Sequence, residues 1–150
     1  MATAVLGAPG SGKSAVRPVL AALLKGHAVI DWDALIDAAG ELAGTPVRSS
    51  PRTWPAYRDL VRAMVAALEP LPVVLLSVCT PDELKGWPIQ NWLLLDCEDS
   101  VRRARLRYRQ ASEVEDAIED ANEYRHLRIT TIDTTHKTLD EVAAAIAGLA

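Results

Sequence analysis

Phenylalanine is absent from this chain of 150 residues, and cysteine occurs only twice. Without Phe, the interior falls to Leu, Val, Ile, Ala and Trp. Cys79 and Cys97 lie in or beside apolar runs, with no C-x-x-C spacing and no His/Cys cluster. That excludes a disulfide framework and gives zinc no ligand set; buried, reduced thiols of a cytoplasmic protein are expected. A basic excess is missing too: the formal net charge is −4, so no general electrostatic hold on nucleic acid is expected. No apolar run approaches the length of a bilayer span, the longest being Val73–Leu76 with its flanks. The opening MATAVLGAPG has neither a basic residue nor a long apolar stretch, so it does not read as a secretory signal. There is no internal repeat and no low-complexity linker, and one domain is expected over residues 1–150.

What is present is an alternation of short apolar runs with helical patterns. Ala2–Leu6, His27–Ile30, Val73–Val78, Trp92–Leu95 and Arg128–Ile132 read as strands. Apolar spacing predicts helices over Lys13–Leu24, Ala34–Leu42 and Tyr57–Leu68. Thr80-Pro81-Asp82-Glu83 has capping-box spacing and predicts a short helix. A long helix is predicted from Glu98 to about Arg125, with a break near Ala111-Ser112. A last helix opens at the capping box Thr138-Leu139-Asp140-Glu141. Gly44–Pro55, with three prolines, reads as a loop long enough to carry function. Strands alternating with helices predict an α/β fold built on a parallel sheet.

The segment Gly7-Ala8-Pro9-Gly10-Ser11-Gly12-Lys13-Ser14 matches G-x-x-x-x-G-K-[ST] and falls between a predicted strand and a predicted helix, the context the motif requires. Glycines let successive backbone N–H groups curl into one hollow, and the positive end of the next helix adds to it. Lys13 supplies a charge for β- and γ-phosphates, and the Ser14 hydroxyl is a hard oxygen ligand for Mg²⁺. The phosphate cradle is therefore assigned to Gly7, Ala8, Pro9, Gly10, Ser11, Gly12, Lys13, Ser14 and Ala15, with ATP and Mg²⁺ as its cofactors.

GAPGSGKS, the later "DWD", "LLLDCEDSVRRARLRYR" and "ITTIDTTHKTLDEVAAAI" together resemble the small P-loop kinases, such as shikimate, gluconate and nucleoside monophosphate kinases. The likeness runs through nearly the whole chain in element order, though only the phosphate loop is a highly specific motif. It implies a three-layer P-loop NTPase fold, with a five-stranded parallel sheet and helices on both faces. It further implies Asp31 as a magnesium ligand acting through water, and Asp33 as the group that aligns or deprotonates an acceptor hydroxyl; Asp33 can alternatively cap the helix after it. Read as an extended strand, Asp31 and Asp33 share one side. A Walker B acid is missing from the run Val73–Thr80, which departs from motor and G-protein patterns.

On a continuous helix, Arg102, Arg105 and Arg109 fall in one narrow sector. By resemblance they belong to a short lid around 98–125 and close on the transferred phosphoryl, Arg105 and Arg109 foremost; a solvated face balanced by the acids from Glu113 to Asp120 is the alternative. The resemblance also places Thr134 and His136 beside the nucleotide base. It puts Arg48, Arg52, Trp54 and Tyr57, with Arg58 and Arg62, in the acceptor region, where Trp54 and Tyr57 fit a core role equally. The function expected is an ATP-dependent phosphotransferase acting on a small-molecule acceptor, most readily a nucleotide or nucleoside. A P-loop ATPase or a nucleotide-binding regulatory module is the alternative.

Overall fold

In a computed structural model, residues 1–150 are described apart from the side chain of Ser49. Five short apolar runs form β1 (Ala2–Leu6), β2 (Ala28–Asp31), β3 (Val73–Ser77), β4 (Ile89–Asp96) and β5 (Thr130–Asp133), all parallel, in the order β2-β3-β1-β4-β5. Every residue of β1 and of β3 is buried, as a strand covered on both faces requires. β1 is the centre of the sheet and the start of the chain. The segment leaving its carboxyl end therefore emerges where the strand order reverses, the crevice in which open α/β sheets bind ligands.

Six helices cover the sheet: α1 (Lys13–Leu23), α2 (Ile36–Ala43), α3 (Thr53–Ala67), α4 (Asp99–Arg105), α5 (Ala111–Arg125) and α6 (Leu139–Ala147). Alternation along the strands sends successive side chains to opposite layers. Val5, Val74, Leu76, Leu93 and Leu95 meet Val16 and Leu20 of α1 and Val142, Ala143 and Ile146 of α6. On the other face Leu75 joins Trp32, Ile36, Tyr57 and Val61, while Leu6 and Leu94 pack on Ala121 and Tyr124 of α5. This is the three-layer arrangement with helices on both faces. Among the described residues, no helix is long and apolar enough to cross a membrane.

Several boundaries differ from the expectation. α3 starts at Thr53, two residues before Pro55, because proline is tolerated in a first helical turn. Thr80–Glu83 nucleates a turn, not a helix. The Thr80 amide and hydroxyl do donate to Glu83 Oε2 (2.7 and 3.1 Å), yet Gly86, at φ +83°, turns the chain away before a second turn forms. The predicted 98–125 helix is two helices separated by residues 106–110. The break precedes Ala111 because Gln110, with Glu113, forms the capping box that starts α5. β5 starts at Thr130, since Arg128 has a left-handed φ of 52° that no strand accepts.

Candidate active site

Six consecutive carbonyls, Gly7 to Gly12, are all engaged. Gly7 O accepts from Lys13 Nζ, Ala8 O from the Ser11 amide (3.1 Å) and Pro9 O from Arg102 Nη1 (2.6 Å). Gly10 O accepts from Arg105 Nη1 (3.0 Å), Ser11 O from the Thr134 hydroxyl (3.0 Å) and Gly12 O from the Val16 amide (3.0 Å). Of the amides within residues 7–12 only that of Ser11 is spent on one of these carbonyls, and the first amides of α1 have no intrahelical partner. Gly10 (φ +81°) and Gly12 (φ +99°) make the left-handed steps of this curl. A Cβ on Gly7 would sit 2.5 Å from Ser11 Oγ and 2.9 Å from Leu95 O, so only glycine lets the loop lie flat on β4.

Lys13 is 7% exposed, and burial lowers its pKa to about 8 against the pull of Asp33 and then Asp31. A poorly solvated ammonium at the start of α1 is a site that gains from a polyanion. The loop opens on a cavity of about 1520 Å³. The whole predicted cradle from Ala8 to Ala15 lines it, while Gly7 lies at its base against β4. Ser14 is exposed to the cavity.

Asp33 lines the cavity and pairs with Arg48, which reaches over from the segment between α2 and α3. Asp31 does not line it; it is buried, and its Oδ1 accepts from the Asp33 amide (3.1 Å). The extended-strand argument for this pair does not hold. β2 ends at Asp31, Trp32 is helical (φ −52°, ψ −43°), and a 3₁₀ turn runs over Asp33–Leu35. Thus Asp31 is the residue that caps, and the Asp33 carboxylate is left for the cavity. Both carboxylates nevertheless act on Lys13. Mg²⁺ takes one or two protein oxygens, water and phosphates. Ser14 offers one such protein oxygen on the cavity wall; no group of three or more acids, histidines or cysteines suited to a metal occurs among the described residues. β3 ends at Ser77, whose Oγ accepts from the Cys79 amide (2.9 Å), so the usual Walker B position holds no carboxylate.

The three arginines separate. α4 ends at Arg105, so helical phase no longer relates Arg109 to the others. Arg109 lines the cavity from the 106–110 turn, paired loosely with Glu113 (3.4 Å). Arg105 lines it while holding Gly10 O, Thr134 Oγ1 (3.1 Å) and Thr134 O (2.8 Å). Arg102 does not reach the cavity: it is fully buried, and its second amino group binds Asp96 Oδ1 (2.6 Å). Thr134 fastens Ser11 to the end of β4, its amide bonding Asp96 O (2.8 Å). His136 is exposed and off the cavity wall; its neighbour Lys137 lines it. Tyr57 is core: it donates to Trp32 O and stacks edge-on to Trp32 (centroids 5.4 Å apart). Trp54 packs on Trp32 from the other side (5.8 Å). Arg52, Arg58 and Arg62 do not line the cavity.

Sequence reasoning missed Asp96 and Arg125, which hold the loop from behind, and missed Asp116 and Asp120, which line the cavity from α5. Burial, with Glu123, Asp116 and Glu119 nearby, raises the Asp120 pKa, and Lys13 opposes that rise. The fall of Asp116 and Asp120 four apart on α5 was the available signal.

No family model matches the chain, and no curated protein does. Solved structures do. The tunicamycin resistance protein of Deinococcus radiodurans superposes with a TM-score of 0.73 at 22% identity, covering 98% of this chain and 93% of that one. Shikimate kinase of Aquifex aeolicus gives 0.67 at 18% identity over 98% and 94% of the two chains. A gluconokinase of Sinorhizobium meliloti gives 0.65 at 22% over 99% and 90%. A parallel five-stranded sheet, helices on both faces and a glycine loop leaving the central strand give this chain the fold of the small P-loop kinases.

Proposed function

We propose that the chain is a phosphotransferase that moves the γ-phosphoryl of MgATP to a small hydroxyl acceptor, a nucleotide or nucleoside by preference. One observation carries the reading: Lys13 and Asp33, the phosphate cation and the acceptor carboxylate, line the same cavity and act on each other electrostatically. Bound Mg²⁺ would neutralise the charge of the β- and γ-phosphates. The loop amides and Lys13 would hold those phosphates, with Ser14 as the metal-side donor and Asp31 acting through water. Asp33, on the cavity wall, would align an acceptor hydroxyl and take its proton once Arg48 yields. Phosphoryl transfer needs alignment and charge stabilisation more than a strong base, and Arg105 and Arg109 supply guanidinium on the same cavity. Of the described cavity residues, those from Asp33 to Arg48 include one cation, Arg48, already paired, together with Asp33, Asp37 and Glu41; we assign this stretch to the acceptor. That balance favours a neutral nucleoside over a nucleoside monophosphate. Thr134 and Lys137 also line the cavity and would border the nucleotide base.

The test is incubation of γ-labelled ATP with panels of nucleosides, nucleoside monophosphates and hydroxy acids. Label on a hydroxyl of one panel member, lost in Asp33→Asn, supports the proposal. Label released to water alone across all panels supports an ATPase and contradicts it.

A further inference from the structure

Arg102 is an unusual residue to find where it is. Its side chain is wholly shielded from solvent, and its Nε finds no hydrogen-bond partner. A buried ion pair of this kind seldom stabilises a fold as well as apolar side chains of the same volume, so its presence asks for another reason. The geometry gives one. The two ends of the guanidinium fork reach different parts of the molecule: Nη1 holds Pro9 O at 2.6 Å, and Nη2 holds Asp96 Oδ1 at 2.6 Å. The stem fills the space behind Gly10, its Cγ 3.0 Å from where a Cβ would stand. Asp96 is in turn fixed by Arg125, whose Nε donates to Oδ2 at 2.6 Å. Arg125 ends α5, the helix that lines the cavity between Glu113 and Asp120.

We propose that Arg102 is a positioning residue for phosphate binding: anchored by Asp96 and Arg125, it pulls the Pro9 carbonyl outward and so turns the loop's amides toward the triphosphate. This rests on the reading of the loop as an ATP site. The argument is one of connectivity. A peptide plane is rigid, so fixing a carbonyl on one side fixes the next amide on the other. Pro9 has no N–H of its own, and holding its carbonyl therefore orients the Gly10 amide at the crest of the curl. Lysine at position 102 has a single ammonium and cannot bridge two acceptors in a planar fork.

The test compares MgATP, tripolyphosphate and adenosine by equilibrium titration of the wild-type chain and of Arg102→Lys. The expected result is a Kd raised about tenfold for MgATP and tripolyphosphate, as for loss of one charge-assisted hydrogen bond, with adenosine binding little changed. Equal losses for all three ligands would mean that Arg102 only holds the fold, and unchanged binding would mean that it does nothing for the loop; either overturns the proposal. Asp96→Asn, on a residue with a partly exposed side chain, decides the matter if Arg102→Lys does not fold. It keeps a hydrogen-bonding atom and loses the anchoring charge, and must weaken the two phosphate ligands more than adenosine. A wild-type chain that binds neither MgATP nor tripolyphosphate would instead remove the ATP reading itself, and this proposal with it.

Discussion

Arg48 donates to the carboxylate of Asp33 across a 15-residue separation, with side chains 57% and 36% exposed. An ion pair that open to solvent contributes at most about 1 kcal/mol. It holds the acceptor carboxylate in place and is cheap to break when a substrate hydroxyl enters. Arg48→Ala should therefore leave Tm nearly unchanged and alter KM for the acceptor, while KM for ATP stays put. Asp33→Asn should lower kcat about 100-fold or more, again at constant KM for ATP. Steady-state kinetics on the two variants check both.

Lys13 gives a pH prediction. Its pKa is about 8 in the folded chain, mainly because burial disfavours the charged form. In the unfolded chain it lies near the ordinary lysine value of about 10.4. Between these values the unfolded state binds more protons, so stability without ligand should rise as pH climbs from about 8 toward 10.4. Binding a triphosphate favours the ammonium. MgATP affinity should therefore fall as pH passes 8, with proton uptake on binding near that pH. Calorimetry in buffers of different ionisation enthalpy measures the uptake, and Lys13→Met should abolish it.

Gly10→Ala separates backbone strain from loop shape. Position 10 has φ +81°, and a Cβ there meets Arg102 Cγ and Leu106 Cγ at 3.0 and 3.2 Å. Gly26→Ala is the control, with φ +93° and open space around it. Both substitutions should cost about 1–2 kcal/mol of stability from the left-handed conformation. Only Gly10→Ala should also weaken MgATP binding, because relief of its contacts moves the loop. Denaturant melts and nucleotide titration distinguish the two.

Cys79 is buried, and burial together with Glu83 pushes its thiol up to about 12. The thiolate is the reactive species. Iodoacetamide at pH 7.5 should leave Cys79 unmodified in the native chain and alkylate it in denaturant, as read by mass spectrometry.

Much of this was legible in the sequence, for physical reasons that differ by element. The glycine loop was readable because each residue type in it answers a local demand: left-handed φ at Gly10 and Gly12, contact with β4 at Gly7, charge at Lys13. The strands were readable because parallel strands buried on both faces are unbroken apolar runs. Arg102 was not, because its role depends on where α4 stops and on Asp96 at the end of another strand. Helical phase extended through residues 106–110 placed it with Arg105 and Arg109, whereas the Gln110–Glu113 cap ends that phase. Asp31 and Asp33 were read as facing one side of a strand, but one αR residue, Trp32, separates them, burying the first and leaving the second on the cavity wall. His136 was named by resemblance and Lys137 was not considered; a loop's local turn decides which neighbour faces a cavity.

The most direct test of the central claim is titration of the wild-type chain with MgATP beside Lys13→Met. The account predicts saturable, one-to-one binding by the wild type, weakened about tenfold or more in the variant. Equal affinities in the two proteins, or no binding by the wild type, would contradict it.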